Sequence, residues 1–231
     1  MASLVPQFIK LNQAYGLIAK GEKILVAISG GIDSLILCRT LSEYRSSIHG
    51  AVELNAVYVS IPPVALSPEQ IEKIADLMTD WQIPFTIVAG SVSANVAFNC
   101  YACARERRKQ LFRFATENYC DAVAFGHHLD DYLETGLMNL IYHGSLETLH
   151  PVQLMLSGRI RVIRPFLKVP KKHILAYGRA SLITPSENYC PFQEENKRQK
   201  VREMMQAFTG LNRNFRNNLH RALNRWNQLT V

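Results

Sequence analysis

One short segment of the sequence carries residue types that could bind a phosphate chain together with a divalent cation. It is SGGIDS at residues 29–34, between a β-branched apolar run and a helical pattern. Its glycines let backbone amides approach a phosphate closely, the following helix adds the positive end of its dipole, and its serine hydroxyls can donate hydrogen bonds. Asp33 suits an anion site only if a divalent cation lies between the charges. No Gly-Lys-Ser/Thr follows, so this is not a Walker A loop, and by itself the segment also fits a tight turn before a capped helix.

Three of the five cysteines have a spacing that suits a metal centre. Cys100 and Cys103 form a CxxC pair, and Cys190 precedes a strongly basic region. A single CxxC fits a redox pair, half of a zinc site or chance, and the sequence offers no second cysteine pair to complete a zinc site. Three thiolates suit a 4Fe–4S cluster that leaves one iron without a protein ligand. Cys38 and Cys120 lie in apolar or helix-end contexts, so we expect them to pack in the core.

The glycine loop and the CxxC pair lie between short apolar runs that alternate with helical patterns. We predict five strands, at residues 23–29, 53–59, 85–88, 122–125 and 160–163. We predict helices at residues 33–45, 67–81, 101–118, 130–142, 171–178 and over most of 196–227. This alternation indicates an α/β fold with a doubly wound parallel sheet, covered by helices on both faces. Such sheets bind ligands at the carboxyl ends of their strands, which is where the SGGIDS segment falls.

Length and composition place the chain among globular domains. Its 231 residues are 48% hydrophobic and 19% charged, which suits one sizeable core and at most a small second lobe. The predicted organisation is an α/β core over residues 1–190 and a short basic helical segment over residues 191–231. No apolar run is long enough to span a bilayer and the N-terminus lacks a signal-peptide pattern, so we expect neither a membrane span nor secretion. The odd number of cysteines fits a reducing cytosol better than a disulfide framework.

The positive charge is concentrated in two segments. The net charge is +7, and residues 196–231 alone hold eight Lys or Arg and one acid, so the first 195 residues balance to zero. The other segment, CARERRKQLFR at residues 103–113, holds five cations around Glu106. Each segment could be a solvated helix face, but two of them on a neutral body favour a polyanion, most simply a nucleic acid. The arginines predicted to contact RNA are Arg105, Arg107, Arg108, Arg213, Arg216 and Arg221.

A second segment of interest, GHHLDDYLET at residues 126–135, follows the fourth predicted strand and opens a helix. Together with SGGIDS after the first strand, it resembles the PP-loop ATP-pyrophosphatase superfamily, whose SGGxDS and GHHxDDxxET motifs occupy the same places. The resemblance implies cleavage of ATP between its α and β phosphates, with AMP transferred to an oxygen of the substrate. The nucleotide and magnesium residues that it implies are Ser29, Gly30, Gly31, Ile32, Asp33, Ser34, Gly126, His127, Asp130 and Asp131.

Further motifs narrow the resemblance to the tRNA 2-thiocytidine synthetase family, over roughly residues 20–225. That family places CxxC before an ARxRR helix, then GHHxDDxxET, a strand ending in Arg-Pro, and a lone cysteine before an Asn-x-x-Arg helix. In this chain the additional positions are Cys100, Cys103, Arg105, Arg107, Arg108, Arg164, Pro165, Cys190 and the segment Glu195-Asn196-Lys197-Arg198.

The resemblance implies a particular reaction and a set of components for it. Cys100, Cys103 and Cys190 would hold a 4Fe–4S cluster whose open iron delivers sulfur to an AMP-activated C2 of a cytidine in the tRNA anticodon loop. The catalytic residues would be Asp33 and these three cysteines, and the cofactors would be ATP, Mg²⁺ and the cluster. The partners would be tRNA and a sulfur donor such as a cysteine desulfurase, in the cytoplasm, and the choice between monomer and homodimer is left open.

Two positions depart from the family pattern. The family usually has lysine at the fourth position of the glycine loop, where this chain has Ile32, and an aspartate at the end of the second strand, where it has Ser60. Loss of one charged contact costs about 1.5–3 kcal/mol, or more for a group that acts in the transition state. We therefore expect either that a neighbour such as Lys168 or Arg164 replaces the missing lysine, or that the chain is a diverged paralogue.

Three other interpretations remain open at this point. A tRNA(Ile) lysidine synthetase-like ligase shares both loop motifs but needs no cysteine triad. A uridine-specific thiolase of the same superfamily is chemically closer, although such relatives commonly carry additional CxxC zinc modules that this chain lacks. A nucleotide- and cluster-binding sensor without turnover would account for Ile32 and Ser60.

Overall fold

The computed structural model describes residues 3–93, 95–186 and 197–229. Within these residues the strands form one six-stranded sheet in the order β3-β2-β1-β4-β6-β5. The strands are β1 (Lys23–Ile28), β2 (Glu53–Ser60), β3 (Phe85–Ala89), β4 (Ala122–Ala124), β5 (Val152–Met155) and β6 (Ile160–Ile163). Neighbouring strands are parallel except β5, which pairs antiparallel with β6.

The helices of the described part of the chain alternate with the strands up to β4. They are α1 (Val5–Tyr15), α2 (Ile32–Ser47), α3 (Pro68–Asp80), α4 (Cys100–Glu117), α5 (Leu129–His143), α6 (Lys171–Ala180), α7 (Lys197–Leu211) and α8 (Phe215–Leu229). α3 begins as its sequence predicts, because Ser67 and Gln70 form a reciprocal capping box around the first turn. Across the residues described, no helix is both long and apolar enough to cross a membrane.

From Ile24 to Ile28 the central strand β1 is buried on both faces, which explains the unbroken apolar sequence of these residues. Because successive side chains of a strand point to opposite faces, Ile24, Val26 and Ile28 join the larger core cluster that includes α2. Leu25 and Ala27 join a second cluster, which includes residues of α4. The predicted doubly wound α/β architecture is therefore confirmed.

The predicted count of five strands is one too few. The additional strand, β5, is short, lies at the edge of the sheet and has a half-exposed face, with Leu154 66% exposed. An edge strand without a buried residue lacks the continuous apolar run by which the other strands are predicted. α1 was also not predicted, although Pro6 near its start and the left-handed Gly16 at its end are typical helix boundaries.

The sheet order places one crevice at the centre of the molecule. After β1 the chain moves outward through β2 and β3, and it then returns to the other side of β1 as β4. The strand order therefore reverses between β1 and β4, and the loops that leave the carboxyl ends of these two strands lie side by side. These loops are the SGGIDS and GHHLDD segments.

Candidate functional site

The glycine loop after β1 is shaped by its own hydrogen bonds. The Ser34 hydroxyl donates to the Gly31 carbonyl at 2.8 Å, and the Ser29 amide donates to the Ser34 hydroxyl at 3.2 Å. Gly30 has a φ of +83°, and a Cβ on it would lie 2.9 Å from a methyl carbon of Leu66. The positive φ favours glycine here, and the space beside Leu66 is tight for any side chain. These hydrogen bonds hold the loop backbone at the start of α2. A helix N-terminus favours a bound anion at this place.

The second loop, after β4, packs directly on the first. A Cβ on Gly126 would lie 3.0 Å from the carbonyl carbon and oxygen of Asp33 and 3.1 Å from the Ser34 nitrogen. Only glycine permits such a close approach to backbone atoms. The two loop motifs, almost one hundred residues apart in the chain, thus form one continuous surface.

Asp33 is the carboxylate at the junction of the two loops. Its Oδ2 accepts a hydrogen bond from Lys171 Nζ, at the start of α6. Its Oδ1 is buried, lies 3.7 Å from His128 Nε2, and accepts no hydrogen bond among the described residues. A buried carboxylate oxygen without a donor is a fitting ligand for Mg²⁺.

The surrounding residues fit a magnesium ion that is shared with a phosphate chain. Among the described residues there is no group of three His, Cys, Asp or Glu side chains that could hold a metal alone. Magnesium in phosphate-transfer sites is usually bound through one or two carboxylates together with substrate phosphates and water. Asp33 can supply that carboxylate here.

His128 fixes the start of α5. Its ring accepts from the Asp131 amide at 3.4 Å, and the Asp131 carboxylate accepts from the His128 amide at 3.0 Å. This reciprocal pair is a capping box with histidine at the N-cap position. The motifs in the sequence assign Asp131 to the nucleotide site and give no role to His128.

Two acidic side chains on α5 are paired with α7. Asp131 and Glu134 are 8% and 5% exposed, respectively. Arg198 Nη1 lies 3.4 Å from Asp131, and Arg202 Nε donates to Glu134 at 2.9 Å. The hydrogen bond to Glu134 raises the pKa of Arg202. Buried carboxylates need such partners, because an unpaired buried charge costs several kcal/mol.

Asp130 is held from two other elements. Arg216 of α8 donates to its Oδ1, and the Lys171 backbone amide donates to its Oδ2 at 2.9 Å. Asp130 therefore joins the start of α6 to α8 across the start of α5. Arg216, one of the arginines predicted to contact RNA, is engaged in this ion pair.

A cavity of about 670 Å³ opens in front of both loops. Of the residues predicted from the sequence, its walls include Ser29, Asp33, Ser34, Arg107, Arg108, Gly126, His127 and Asp131. Arg164 at the end of β6 and Arg198 also line it. Lys168 does not, since its Nζ donates to the Tyr15 hydroxyl at 2.8 Å in a different pocket.

Two arginine donors in the cavity wall have no acceptor among the described residues. Arg164 is 7% exposed; its guanidinium donates to the His150 carbonyl at 2.6 Å, while its Nε has no acceptor among the described residues. Burial, followed by the charge of Arg108, lowers the pKa of Arg164 to about 10. The Nε of Arg107 is likewise buried without an acceptor. Buried cationic donors without acceptors favour an anionic or strongly polar ligand.

His127 lines the same cavity as a neutral ring. Its ring stacks on Phe125 at a centroid distance of 5.5 Å. Burial lowers the pKa of His127 to about 4, and Arg164 and Arg198 act in the same direction, whereas Asp131 opposes them. A neutral imidazole can donate a hydrogen bond from one nitrogen and accept one at the other.

Two of the predicted cluster ligands lie at the start of α4. Cys100 is exposed and Cys103 is buried, and a spacing of three residues puts both thiols on one side of the first helical turn. Asn99 caps this turn by accepting from the Ala102 amide at 2.9 Å. One turn further, α4 contributes Arg107 to the cavity wall. The third predicted ligand, Cys190, lies outside the described residues.

The other two cysteines lie in the core, as predicted. Burial raises the pKa of the Cys38 thiol well above its usual range and that of Cys120 to about 11. Thiols of this kind are poor metal ligands and nucleophiles at neutral pH. Neither residue lines the cavity.

Ile32 is the loop residue whose side chain turns away from the cavity. It is buried against α6, where a Cβ on Gly178 would lie 2.9 Å from its Cδ1. Its predicted contact with the nucleotide could therefore come only from its backbone.

The fold and these two loops define a class of ATP-using domain. The chain belongs to the PP-loop domain family, whose pattern it matches over residues 4–207. It is 34% identical over 200 residues to the tRNA-cytidine(32) 2-sulfurtransferase of Aeromonas salmonicida (strain A449), covering 83% of this chain and 65% of that protein. It is also 34% identical to the protein of the same name from Methylococcus capsulatus, covering 83% and 68%. The chain thus spans about two thirds of the length of these relatives, and the resemblance stated from the sequence is confirmed.

A solved structure shares the fold. The U34-tRNA thiolase NcsA from Methanococcus maripaludis, determined with its 4Fe–4S cluster, superposes with a TM-score of 0.76 at 22% identity. The alignment covers 95% of this chain and 77% of that one. This likeness supports the doubly wound architecture.

Proposed function

We propose that this chain is an ATP-dependent tRNA sulfurtransferase that converts a cytidine to 2-thiocytidine. The observation that carries the proposal is the packing of the two loop motifs against each other at Asp33, on a cavity whose walls also hold Arg107 and Arg164. The name shared by the relatives supplies the substrate class. In the reaction the C2 oxygen of cytidine attacks the α-phosphate of ATP, pyrophosphate leaves, and sulfur then displaces AMP from C2.

The first step requires the site to neutralise charge on the leaving pyrophosphate. The amides of the glycine loop, the N-terminus of α2 and the hydroxyls of Ser29 and Ser34 would bind the phosphates. Asp33 would hold Mg²⁺, which when bound polarises phosphoryl oxygens and neutralises their charge. Gly126, His127 and Asp131 would complete the nucleotide site from the second loop.

The part of the cavity that is lined by Arg107, His127 and Arg164 would receive the base. Arg107 and Arg164 have donors free for the C2 oxygen or for the adenylated intermediate, where negative charge is concentrated. His127 is neutral at physiological pH, so it can donate or accept a hydrogen bond there without adding charge. The base must first leave its stack, because C2 is inaccessible within a folded anticodon loop.

The sulfur-delivering residues would be the cysteines. Cys100 and Cys103 suit a 4Fe–4S cluster in donor chemistry, since both are thiols on one helical turn that leads into the cavity wall. Cys190 would be the third ligand. When bound, such a cluster supplies an iron without a protein ligand, at which sulfur from a donor such as a cysteine desulfurase can be held.

The RNA surface would consist of exposed arginines of the two basic segments. Arg105, Arg108, Arg213 and Arg221 are exposed, whereas Arg107 and Arg216 are half-buried. Because Arg216 is paired with Asp130, we assign the phosphate contacts to the exposed four. Substitution of these four should flatten the salt dependence of tRNA binding, by about 0.7 in the log–log slope for each lost single-strand phosphate contact. The setting of the reaction would be the cytoplasm, and a homodimer is compatible with it.

The proposed reaction is tested by measuring 2-thiocytidine in tRNA. Nucleoside analysis of tRNA from a deletion strain should show loss of 2-thiocytidine, and the gene should restore it. Asp33→Ala should fail to restore it, while the exposed Asp76→Ala serves as the matched control. In vitro, the products should be AMP and pyrophosphate; ADP and phosphate would contradict the proposal. Binding of nucleotide without any turnover would support a sensor instead.

The cluster is tested separately. Protein purified without oxygen should hold about four iron and four sulfide per chain. Cys100→Ala, Cys103→Ala and Cys190→Ala should each lose most of the iron, whereas Cys120→Ala should keep it. Stoichiometric zinc without iron after anaerobic reconstitution would contradict this part of the proposal.

A further inference from the structure

The glycine loop of this chain contains no cationic side chain. Its six residues, 29–34, are SGGIDS, with Asp33 as the sole charged member. A triphosphate nevertheless concentrates negative charge, and loop amides alone do not balance it. The cation that offsets this charge must therefore come from another element.

The packing of Ile32 brings such an element close. Its Cδ1 would lie 2.9 Å from a Cβ on Gly178, and the Cδ1 of Ile36 would lie 3.6 Å from the same Cβ. The missing side chain at Gly178 therefore allows α6 to pack closely on α2. A buried apolar residue at position 32 suits this contact, and a lysine there would have to leave it.

The close packing places the first residue of α6 on both loops. Lys171 donates from its ammonium to Asp33 Oδ2 in the first loop. Its backbone amide donates to Asp130 in the second loop at 2.9 Å. The Lys171 side chain remains 31% exposed, so a ligand can reach it.

We propose that Lys171 is the cation that binds the phosphate chain, supplied by α6 in place of a lysine in the glycine loop. The inference rests on the proposed function, since it assumes that ATP and Mg²⁺ bind at Asp33. Once the carboxylate of Asp33 is neutralised by the metal, the phosphate oxygens are the strongest acceptors within reach of the ammonium. Lys171 is then a phosphate contact, and its pairing with Asp33 holds it in place beforehand.

Neighbouring cations do not offer the same contact. Lys168 donates to the Tyr15 hydroxyl in a different pocket. Arg164 donates to the His150 carbonyl. Lys172 is exposed and follows Lys171 directly, which makes it a matched control for a change of charge at the start of α6.

The experiment compares the affinities of ATP with Mg²⁺ and of adenosine for four proteins: the unchanged chain, Lys171→Met, Lys171→Arg and Lys172→Met. Lys171→Met should weaken ATP binding about 10- to 100-fold, the loss typical of one hydrogen bond to a charged group. Adenosine binding should stay unchanged. Lys171→Arg should retain most of the ATP affinity, and Lys172→Met all of it. Thermal unfolding without nucleotide checks that each variant is folded.

The outcomes separate this inference from the proposed function. If the unchanged chain fails to bind ATP, both fall. If it binds ATP and Lys171→Met binds equally well, the role of Lys171 is refuted and the proposed function stands. If Lys171→Met loses ATP and adenosine affinity in the same proportion, Lys171 merely shapes the site, which also overturns the inference.

Discussion

The contact between the two loops leads to a sharp prediction for Gly126→Ala. The added methyl carbon would lie 3.0 Å from the carbonyl carbon and oxygen of Asp33 and 3.1 Å from the Ser34 nitrogen. Non-bonded carbon contacts are optimal at about 3.5–4.0 Å, so the methyl is about 0.5–1 Å too close. The opposing atoms belong to the backbone at the start of α2 and have no rotamer by which to move away. The loops must therefore separate.

The expected cost follows from similar overpacked sites. Forcing a methyl group into a well-packed contact costs about 1–3 kcal/mol. For a protein of this size, each kcal/mol lowers Tm by about 2–4 °C. Separation of the loops also displaces the amides that bind phosphate, and a shift on the order of 1 Å in such groups can cost about 100-fold. We expect ATP affinity to fall at least tenfold.

Urea unfolding and ATP titration measure the two effects, with Gly210→Ala as the control. Gly210 lies in α7, where a Cβ would meet nothing within 4 Å, so alanine there should stabilise the helix by about 0.5–1 kcal/mol. The reasoning is refuted if Gly126→Ala unfolds within about 0.5 kcal/mol of the unchanged chain and binds ATP equally well.

Three further predictions concern other parts of the chain. Gly136→Ala would bring a methyl within 2.6 Å of both δ-carbons of Leu223, so it should destabilise by about 1–3 kcal/mol, and in a double-mutant cycle with Leu223→Ala the combined loss should be smaller than the sum. Because burial lowers the pKa of His127 to about 4, between pH 6.5 and 4 the unfolded chain binds a proton that the folded chain does not. Stability should therefore fall by about 2 kcal/mol between pH 7 and pH 5, and His127→Asn should remove that part of the loss in urea unfolding; identical slopes would contradict it. Burial raises the pKa of Cys38 and Cys120, so neither should be alkylated at pH 7.5 in the folded protein, while both react in urea, as peptide mass spectrometry can show.

The parts of the fold that follow from local sequence were predictable. β1 and β2 are nearly continuous apolar runs because both of their faces are buried, and α3 begins at its predicted capping box. Each of the two loop motifs is an uninterrupted segment of the sequence that directly follows a predicted strand. The position of the site at the carboxyl ends of β1 and β4 could therefore also be inferred.

The remainder depends on pairs that are distant in the chain. Lys171 and Asp33 are 138 residues apart, and no periodicity or spacing links them. Sequence reasoning named Lys168 and Arg164 as replacements for the missing lysine, whereas α6 places Lys171 on the loop. β5 was not predicted for a different, local reason, because it is a short edge strand without a buried residue. The division of the chain near residue 190 stays a prediction.

The ion pairs that join α5 to α7 and α8 also bear on the order in which the protein folds while it is synthesised. The sheet strands and α5 are synthesised before α7 and α8, and domains fold from the N-terminal side as they are made. Until Arg198, Arg202 and Arg216 have been added, the carboxylates on the first turns of α5 have no arginine partner and repel one another. The nascent chain can therefore assemble its sheet early, but the start of α5 takes its final electrostatic form after α8 has docked.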